Sequence, residues 1–282
     1  MSQNKFQEKS VIELIKTALK EDLPDGDVTC DAIVSKTLSA NGHVVAKGNY
    51  VVSGIEIAKL CYSEIDSHIK FETSFTDGDE IKKGQTLFKV SGNAGALLKA
   101  ERTVLNIISH MMGVATKTKS FVDVVKGTNT AILDTRKTLP GLRYIQKLAV
   151  VHGGGKNHRV SLSDAVLIKE NHIVCAGGIE QAVNLVKDIK LKKEIEIRRL
   201  DELNTVLNSD VKIDVVMLDN MSLEQVKEAV KLSDGRVKLE VSGGINESNI
   251  KAYAEAGVDF ISIGALTHSV QSADLSFLFD GV

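Results

Sequence analysis

After Ser10, apolar residues recur at Val11, Ile12, Ile15, Ala18 and Leu19, the spacing of one helix face, with Ser10 as the expected N-cap. Between residues 40 and 90 the pattern shortens. Gly42-His-Val-Val-Ala-Lys47 and Gln85-Thr-Leu-Phe-Lys-Val90 read as strands, with turns at Gly48-Asn49, Asp77-Gly78 and Lys83-Gly84. The run Asp77-Gly-Asp-Glu-Ile-Lys-Lys-Gly-Gln85 resembles the turn of a lipoyl-type β-sandwich, but lacks the lysine tip that would carry a prosthetic group. It is read as architecture alone. Residues 94–126 predict one long helix, or two joined at Gly113.

From residue 130 the rhythm changes. Short apolar runs appear at 130–134, 165–169, 194–198, 214–218, 237–241 and 259–263, with amphipathic stretches such as Leu223 to Leu232 and Glu247 to Ala256 between them. Strands alternating with helices predict parallel βαβ units. A doubly wound sheet and a barrel both fit that rhythm. The polar residues favour a barrel, because they fall where strands end: Arg136 and Lys137, Lys169, Asp219, Ser242-Gly243-Gly244, and Gly264-Ala265, with Glu196 inside the third strand. In a β/α barrel these ends converge on one mouth. The expected fold is α/β: an incomplete, six- to seven-stranded β/α barrel over residues 111–269, and an N-terminal α/β open sandwich over 1–110. Residues 270–282 are expected to pack back on the sandwich.

Composition narrows the function. The 282 residues are 43% hydrophobic and 26% charged, with a net charge of -2. No global basic field recruits nucleic acid or an acidic membrane, so any basic cluster is local. Cys30, Cys61 and Cys175 show neither zinc spacing nor a disulfide framework, which suits a reducing cytoplasm. Residues 1–9 contain no apolar core of a signal peptide, and no run approaches the roughly 20 apolar residues of a membrane helix.

The basic set is Arg136, Lys137, His158, Arg159 and Lys169. One lysine at a strand end is ordinarily just solvated, but several cations at one mouth repel each other and call for an anionic partner. Arginine forks match carboxylate or phosphate bidentately. Gly153-Gly-Gly155 reads equally as a connector or as backbone approaching a ligand. Ser242-Gly-Gly-Ile245, followed by a helix near Asn246, and Gly264-Ala265 resemble the phosphate grip at the last strands of many barrels. Glu194 and Glu196 alternate with Ile195 and Ile197, so both acids share one strand face. With Asp219 they fit sugar hydroxyls or Mg²⁺ held jointly with phosphates, or a salt bridge to Lys137 or Lys169. No serine elbow, Cys-His pair or His-Glu-x-x-His run offers a covalent nucleophile or a zinc site. The set looks built to hold two anions together and stabilise developing charge.

Asp134-Thr-Arg-Lys-Thr138, Pro140-Gly-Leu-Arg143, Gly153-Gly-Gly-Lys-Asn-His-Arg159, Leu167-Ile-Lys-Glu-Asn-His-Ile173, Leu218-Asp-Asn220, Ser242-Gly-Gly-Ile245 and Ile263-Gly-Ala-Leu-Thr-His-Ser269 occur in this order, preceded by Glu101-Arg-Thr-Val-Leu-Asn106. Together they resemble the quinolinate phosphoribosyltransferases, which convert quinolinate and phosphoribosyl pyrophosphate to nicotinate mononucleotide, pyrophosphate and CO₂ with Mg²⁺. The resemblance implies that Arg136, His158, Arg159 and Lys169 bind the acceptor's carboxylates. Thr135, in the same loop, would also bind substrate. Lys137 would face the pyrophosphate and the reacting centre. Glu196 and Asp219 would meet ribose hydroxyls or metal and stabilise an oxocarbenium-like centre, so Lys137, Glu196 and Asp219 are the expected catalytic set. Ser242, Gly243, Gly244, Gly264 and Ala265 would hold the 5-phosphate. Arg102 would enter the neighbouring subunit's site, which implies a homodimer.

The chain departs from that pattern at Ser161, where a glycine is expected, and at Arg198 and Arg199, which follow Glu196 where acidic or small polar residues are expected. The arginines put the role of Glu196 in question, with Glu194 as the fallback. Two other readings share part of the pattern. One is a ribosyltransferase-like protein associated with molybdenum transport. The other is a non-catalytic sensor of the phosphoribosyl donor.

Overall fold

A computed structural model describes residues 3–280, with side chains from residue 9 onward. In chain order the elements begin with α1 (Gln3–Asp22), α2 (Val28–Ile33), β1 (Ser39–Ala46), β2 (Tyr50–Val51), α3 (Ile55–Ile65), β3 (Lys70–Glu72), β4 (Glu80–Ile81), β5 (Thr86–Asn93) and α4 (Ala94–Val124). Next come β6 (Ala131–Leu133), α5 (Arg143–His152), β7 (Val166–Ile168), α6 (Glu170–Ala176), α7 (Ile179–Leu185), β8 (Lys193–Ile197) and α8 (Leu200–Leu207). The chain continues through β9 (Val215–Asp219), α9 (Leu223–Ser233), β10 (Lys238–Ser242), α10 (Ile250–Glu255), β11 (Phe260–Ser262), α11 (Ala265–His268) and β12 (Leu275–Phe279). These elements form two compact units that interleave along the chain. The first takes in the described parts of Met1–Lys119, Thr138–Gly154 and Leu266–Val282; the second is Ser120–Lys137 with Gly155–Ala265.

The first unit is built on a four-stranded sheet in the order β12-β1-β5-β3. Strand β1 alternates, with Ala40, Gly42, Val44 and Ala46 buried and the residues between them more exposed. Period-two burial of this kind is what lets one sheet face cover a core. Val44 sits opposite both Phe88 of β5 and Phe277 of β12, so the C-terminal segment completes this sheet. Phe88 also packs edge-on against Tyr62 of α3, with ring centroids 6.2 Å apart, an arrangement aromatic pairs favour.

Two expectations change in this unit. Helix α1 starts at Gln3, so Ser10 is interior and not the N-cap. The polar run before Ser10 continues the helix without an apolar stripe to announce it. Helix α4 is one helix of 31 residues, and Gly113 is not a joint. A Cβ at Gly113 would lie 2.3 Å from the Gln271 carbonyl oxygen, so this glycine permits a close backbone approach. Gly153 has a similar role, because a Cβ there would stand 2.4 Å from the Ala115 carbonyl oxygen. It is a packing glycine and neither a flexible connector nor a ligand-facing one.

The second unit holds a six-stranded parallel sheet in the order β6-β11-β10-β9-β8-β7. Read as a circle, each strand lies beside its successor and β11 returns to β6. Among the described residues no ladder joins β6 to β7, the two ends of that order. The barrel is therefore incomplete at this seam, with six strands and not seven. Lys156 pairs with β6 at its open edge: its N–H donates to the Ile132 carbonyl at 2.8 Å, and its own carbonyl accepts from Asp134 N–H at 3.2 Å. Val215, Val216, Met217 and Leu218 are all buried. Burial on both faces is why the parallel strands read as unbroken apolar runs. Helix α10 begins at Ile250, later than the expected start near Asn246 or Glu247. The Asn246 Oδ1 accepts from Ser248 N and Oγ, and Asn249 Oδ1 accepts from Asn246 N, so a polar turn occupies those residues.

Candidate active site

Asp134 follows the last residue of β6 and is fully buried. Its Oδ1 accepts the His158 N–H at 2.9 Å and its Oδ2 accepts Asn157 Nδ2 at 2.6 Å. A buried carboxylate is stable only when its oxygens are occupied in this way. These bonds tie the end of β6 to the segment carrying His158 and Arg159.

Arg136 and Arg159 are half-buried beside the same strand end. The Nε of each is buried without a hydrogen-bond partner. Arg159 Nη1 donates to the Ala165 carbonyl at 3.2 Å. Burial, and then the neighbouring Arg136 charge, push the Arg159 guanidinium below the usual arginine range. Two like charges with orphaned buried N–H groups are unfavourable alone and become favourable around an anion. Lys137 is exposed beside them, and its N–H donates to Thr135 Oγ1 at 3.0 Å.

His158 lies differently from the expectation of a side chain offered to a substrate carboxylate. Its ring is turned into the sheet, 9% exposed, with Nε2 3.2 Å from Glu194 Oε1. Its Nδ1 accepts the Arg159 main-chain N–H at 2.8 Å. Burial disfavours the imidazolium, but Glu194 and Glu240 outweigh burial and raise the imidazole's basicity. Glu194 is thus engaged below the mouth, and Glu196, two residues along the same strand face, is the acid presented at it.

Lys169 directly follows β7 and forms an ion pair with Glu196 of β8 through Nζ and Oε2. Asp219 ends β9 and meets Arg198 Nε at 3.3 Å, while Arg198 Nη1 pairs with Glu170 at 2.6 Å. Arg199 turns away to Asp201 and Glu202 at the start of α8, at 3.0 and 3.1 Å. The two departures after Glu196 therefore separate: Arg198 joins the mouth through Asp219, and Arg199 serves the helix start. Ser161 is accommodated in a local turn, its Oγ donating to Asp164 Oδ1 at 2.6 Å.

Ser242 ends β10, and Gly243 and Gly244 follow with φ of +93° and +65°. The positive φ favours glycine at 243, and a Cβ there would stand 2.2 Å from Asn220 Oδ1, so the Asn220 side chain would also have to move. Asn220 itself has φ +54°, and its N–H donates to the Ser242 carbonyl at 2.8 Å. Gly264 follows β11 and Ala265 opens α11, one strand over from Ser242 in the sheet. Arg102 belongs to the first compact unit, on α4, where its side chain is 64% exposed.

The second unit thus brings Thr135, Arg136, Lys137, Arg159, Lys169, Glu196, Asp219, Ser242, Gly243, Gly244 and Gly264 to the carboxyl ends of one parallel sheet. Asp134, Asn220 and Glu240 were not singled out as site residues from sequence. The first two lie inside recognised motifs. Glu240 stands in Lys238-Leu-Glu-Val241 between apolar residues, and that flanking was its only signal.

The family model described as quinolinate phosphoribosyl transferase, C-terminal domain, matches residues 114–278, and the corresponding N-terminal domain model matches 27–112. A Nicotiana tabacum protein named quinolinate phosphoribosyltransferase [decarboxylating] 1b is 41% identical over 292 residues, covering 96% of this chain and 82% of its own. A Mycobacterium leprae nicotinate-nucleotide pyrophosphorylase [carboxylating] is 40% identical over 271 residues, covering 93% of this chain and 95% of its own. The solved nicotinate-nucleotide pyrophosphorylase of Francisella tularensis superposes with a TM-score of 0.92 at 39% identity, over 96% of each chain. This chain belongs to the quinolinate phosphoribosyltransferase family.

Proposed function

We infer that this chain transfers phosphoribosyl from phosphoribosyl pyrophosphate to quinolinate with loss of CO₂, serving pyridine nucleotide synthesis. The observation that carries the acceptor assignment is the Arg136–Arg159 pair, whose buried Nε groups lack partners. A dicarboxylate supplies two anionic groups to two guanidinium forks. Lys169, now paired with Glu196, provides a third cation by exchanging one carboxylate for another.

The acceptor's ring nitrogen attacks C1 of the ribose, and the C1–O bond breaks with its electron pair leaving on pyrophosphate. Lys137 neutralises charge on that leaving group, and Glu196 and Asp219 stabilise the electron-poor ribosyl carbon and its hydroxyls. Quaternising the ring nitrogen makes the ring an electron sink. The carboxylate beside it then departs as CO₂, and a proton replaces it on the ring carbon. The backbone of Ser242, Gly243, Gly244, Gly264 and Ala265 receives the 5-phosphate.

Glu196 and Asp219 offer only oxygen ligands, as a hard divalent cation prefers. Both acids are already balanced by Lys169 and Arg198, which suits Mg²⁺ carried in largely by the substrate's phosphates. Such an ion would neutralise phosphate charge, with Glu196 and Asp219 as its protein ligands. Arg102, exposed on α4, fits a role in a neighbouring subunit's site and hence a homodimer.

No helix of the described residues is long and apolar enough to cross a membrane. A cytoplasmic site of action suits the free cysteines Cys30, Cys61 and Cys175. Incubation with phosphoribosyl pyrophosphate, Mg²⁺ and quinolinate tests the reading: mononucleotide and CO₂ should appear in equal amounts, and mononucleotide without CO₂ would refute it.

A further inference from the structure

His158, Glu194 and Glu240 meet in the interior of the six-stranded sheet unit. Glu194 and Glu240 are 1% and 0% exposed. His158 Nε2 lies 3.1 Å from Glu194 Oε2 and 3.8 Å from Glu240 Oε1. Neither oxygen of Glu240 has a well-formed hydrogen-bond partner, and the nearby Ser262 hydroxyl only partly stabilises the carboxylate. In size and composition such a trio suits a metal ion. The histidine tautomer decides against one. Nδ1 accepts the Arg159 N–H at 2.8 Å. A metal on Nε2 would leave the ring's proton on Nδ1, pointing at another N–H. The arrangement therefore carries the proton on Nε2, donated to Glu194.

We propose that Glu194 is a positioning residue for the acceptor site, holding the His158 imidazole from inside the barrel so that Arg159 is aimed at the mouth. The proposal rests on the reading of Arg159 as a carboxylate-binding group. The main chain at 158–159 is gripped twice, by Asp134 on the His158 N–H and by His158 Nδ1 on the Arg159 N–H. The Arg159 side chain has one hydrogen bond, to Ala165, so the direction of its guanidinium follows the direction of its backbone. The backbone follows the ring, and the ring follows Glu194. Glu240 supplies charge and not a hydrogen bond: burial and then Glu194 push its carboxyl up to about 7. The charges facing it are Glu194 and Lys192, from β8 and the residue before it, and His158. As pH rises through this value Glu240 ionises. It then adds negative charge beneath a site built for a dianion, so quinolinate binding weakens.

The test compares Glu194→Ala, Glu194→Gln, Glu240→Gln and Arg159→Ala, measuring kcat and the KM of each substrate across pH. Glu194→Ala should raise the KM for quinolinate about tenfold, as a misaimed binding group does. The KM for phosphoribosyl pyrophosphate should stay within about twofold. Glu194→Gln retains an oxygen acceptor for Nε2–H and should recover most of that loss. Glu240→Gln, neutral at every pH, should flatten the rise in quinolinate KM around pH 7. Equal effects on both substrates, a wild-type Glu194→Ala, or a Glu194→Gln no better than the alanine would overturn the proposal. Should Glu194→Ala not fold, the similarly sized Glu194→Met, which keeps no acceptor for Nε2–H, takes its place with the same expected loss and the same overturning result. If Arg159→Ala leaves quinolinate KM untouched, the acceptor reading itself falls and the positioning role with it. An impaired Arg159→Ala beside unimpaired Glu194 variants would overturn positioning alone.

Discussion

The Lys169 ammonium is paired with the Glu196 carboxylate across neighbouring strands at the sheet's carboxyl edge. A cation assigned to the acceptor thus rests on an acid assigned to the ribose or metal. On the proposed reading, binding of both substrates would separate the pair, giving Lys169 a substrate carboxylate and Glu196 the ribose hydroxyls or metal.

Lys169→Ala should therefore reduce kcat/KM for quinolinate by roughly 10- to 100-fold, the worth of one hydrogen bond between charged groups. Direct binding of the phosphoribosyl donor should change far less. Steady-state kinetics beside calorimetric donor binding checks this, and a larger loss on the donor side would reassign the lysine.

Arg198 sits on Asp219 and Glu170. If Asp219 helps hold Mg²⁺, Arg198 competes with the ion. Arg198→Ala should lower the Mg²⁺ concentration for half-maximal activity, with little change in melting temperature because the arginine is exposed. A magnesium titration identical to wild type would remove Asp219 from the metal's ligands.

The Glu240 carboxyl titrates at about 7 in the folded chain against an ordinary 4.5. Because its folded value is raised, the folded chain holds this proton after the unfolded chain has released it. Its contribution to stability therefore falls as pH rises from 4.5 toward 7 and stays low above. Glu240→Gln mimics the protonated form, so it should raise the melting temperature more at pH 8 than at pH 5. Equal shifts at both pH values would show that Glu240 is not held protonated.

In the proposed homodimer, Arg102 of one subunit and Lys137 of the partner subunit would serve one active site. Arg102→Ala and Lys137→Ala should each be nearly inactive. After subunit exchange, mixed dimers carry one site with both residues intact, and random mixing restores about a quarter of wild-type activity. No recovery after verified exchange would place Arg102 outside a shared site.

The strands of the second unit were legible because parallel strands are buried on both faces, which leaves apolar runs such as Val215-Val-Met-Leu218. Lys169, Asp219 and Ser242 were legible for a related reason: each marks the point where such a run stops. Side-chain direction was not. Nothing in Asn157-His158-Arg159 shows that the imidazole turns inward to Glu194 while Arg159 is left beside Arg136 with its Nε unpartnered. Arg198 and Arg199 look alike in sequence, and only their partners separate them. The start of α10 was misplaced because Asn246, Ser248 and Asn249 satisfy one another before the helix begins. The break between β6 and β7 carries no hydropathy signal, since all that pairs with β6 on that side among the described residues is the isolated bridge of Lys156 to Leu133.

The most direct measurement is turnover with quinolinate and with nicotinate in parallel, for wild type and Arg159→Ala, with phosphoribosyl pyrophosphate and Mg²⁺ present throughout. Two guanidinium forks at the acceptor site predict that the wild type uses the dicarboxylate and releases one CO₂ per mononucleotide. Nicotinate should be a poor substrate, and Arg159→Ala should lose most of its quinolinate activity. Equal use of nicotinate, or full quinolinate turnover without Arg159, would contradict a dicarboxylate site built on Arg136 and Arg159.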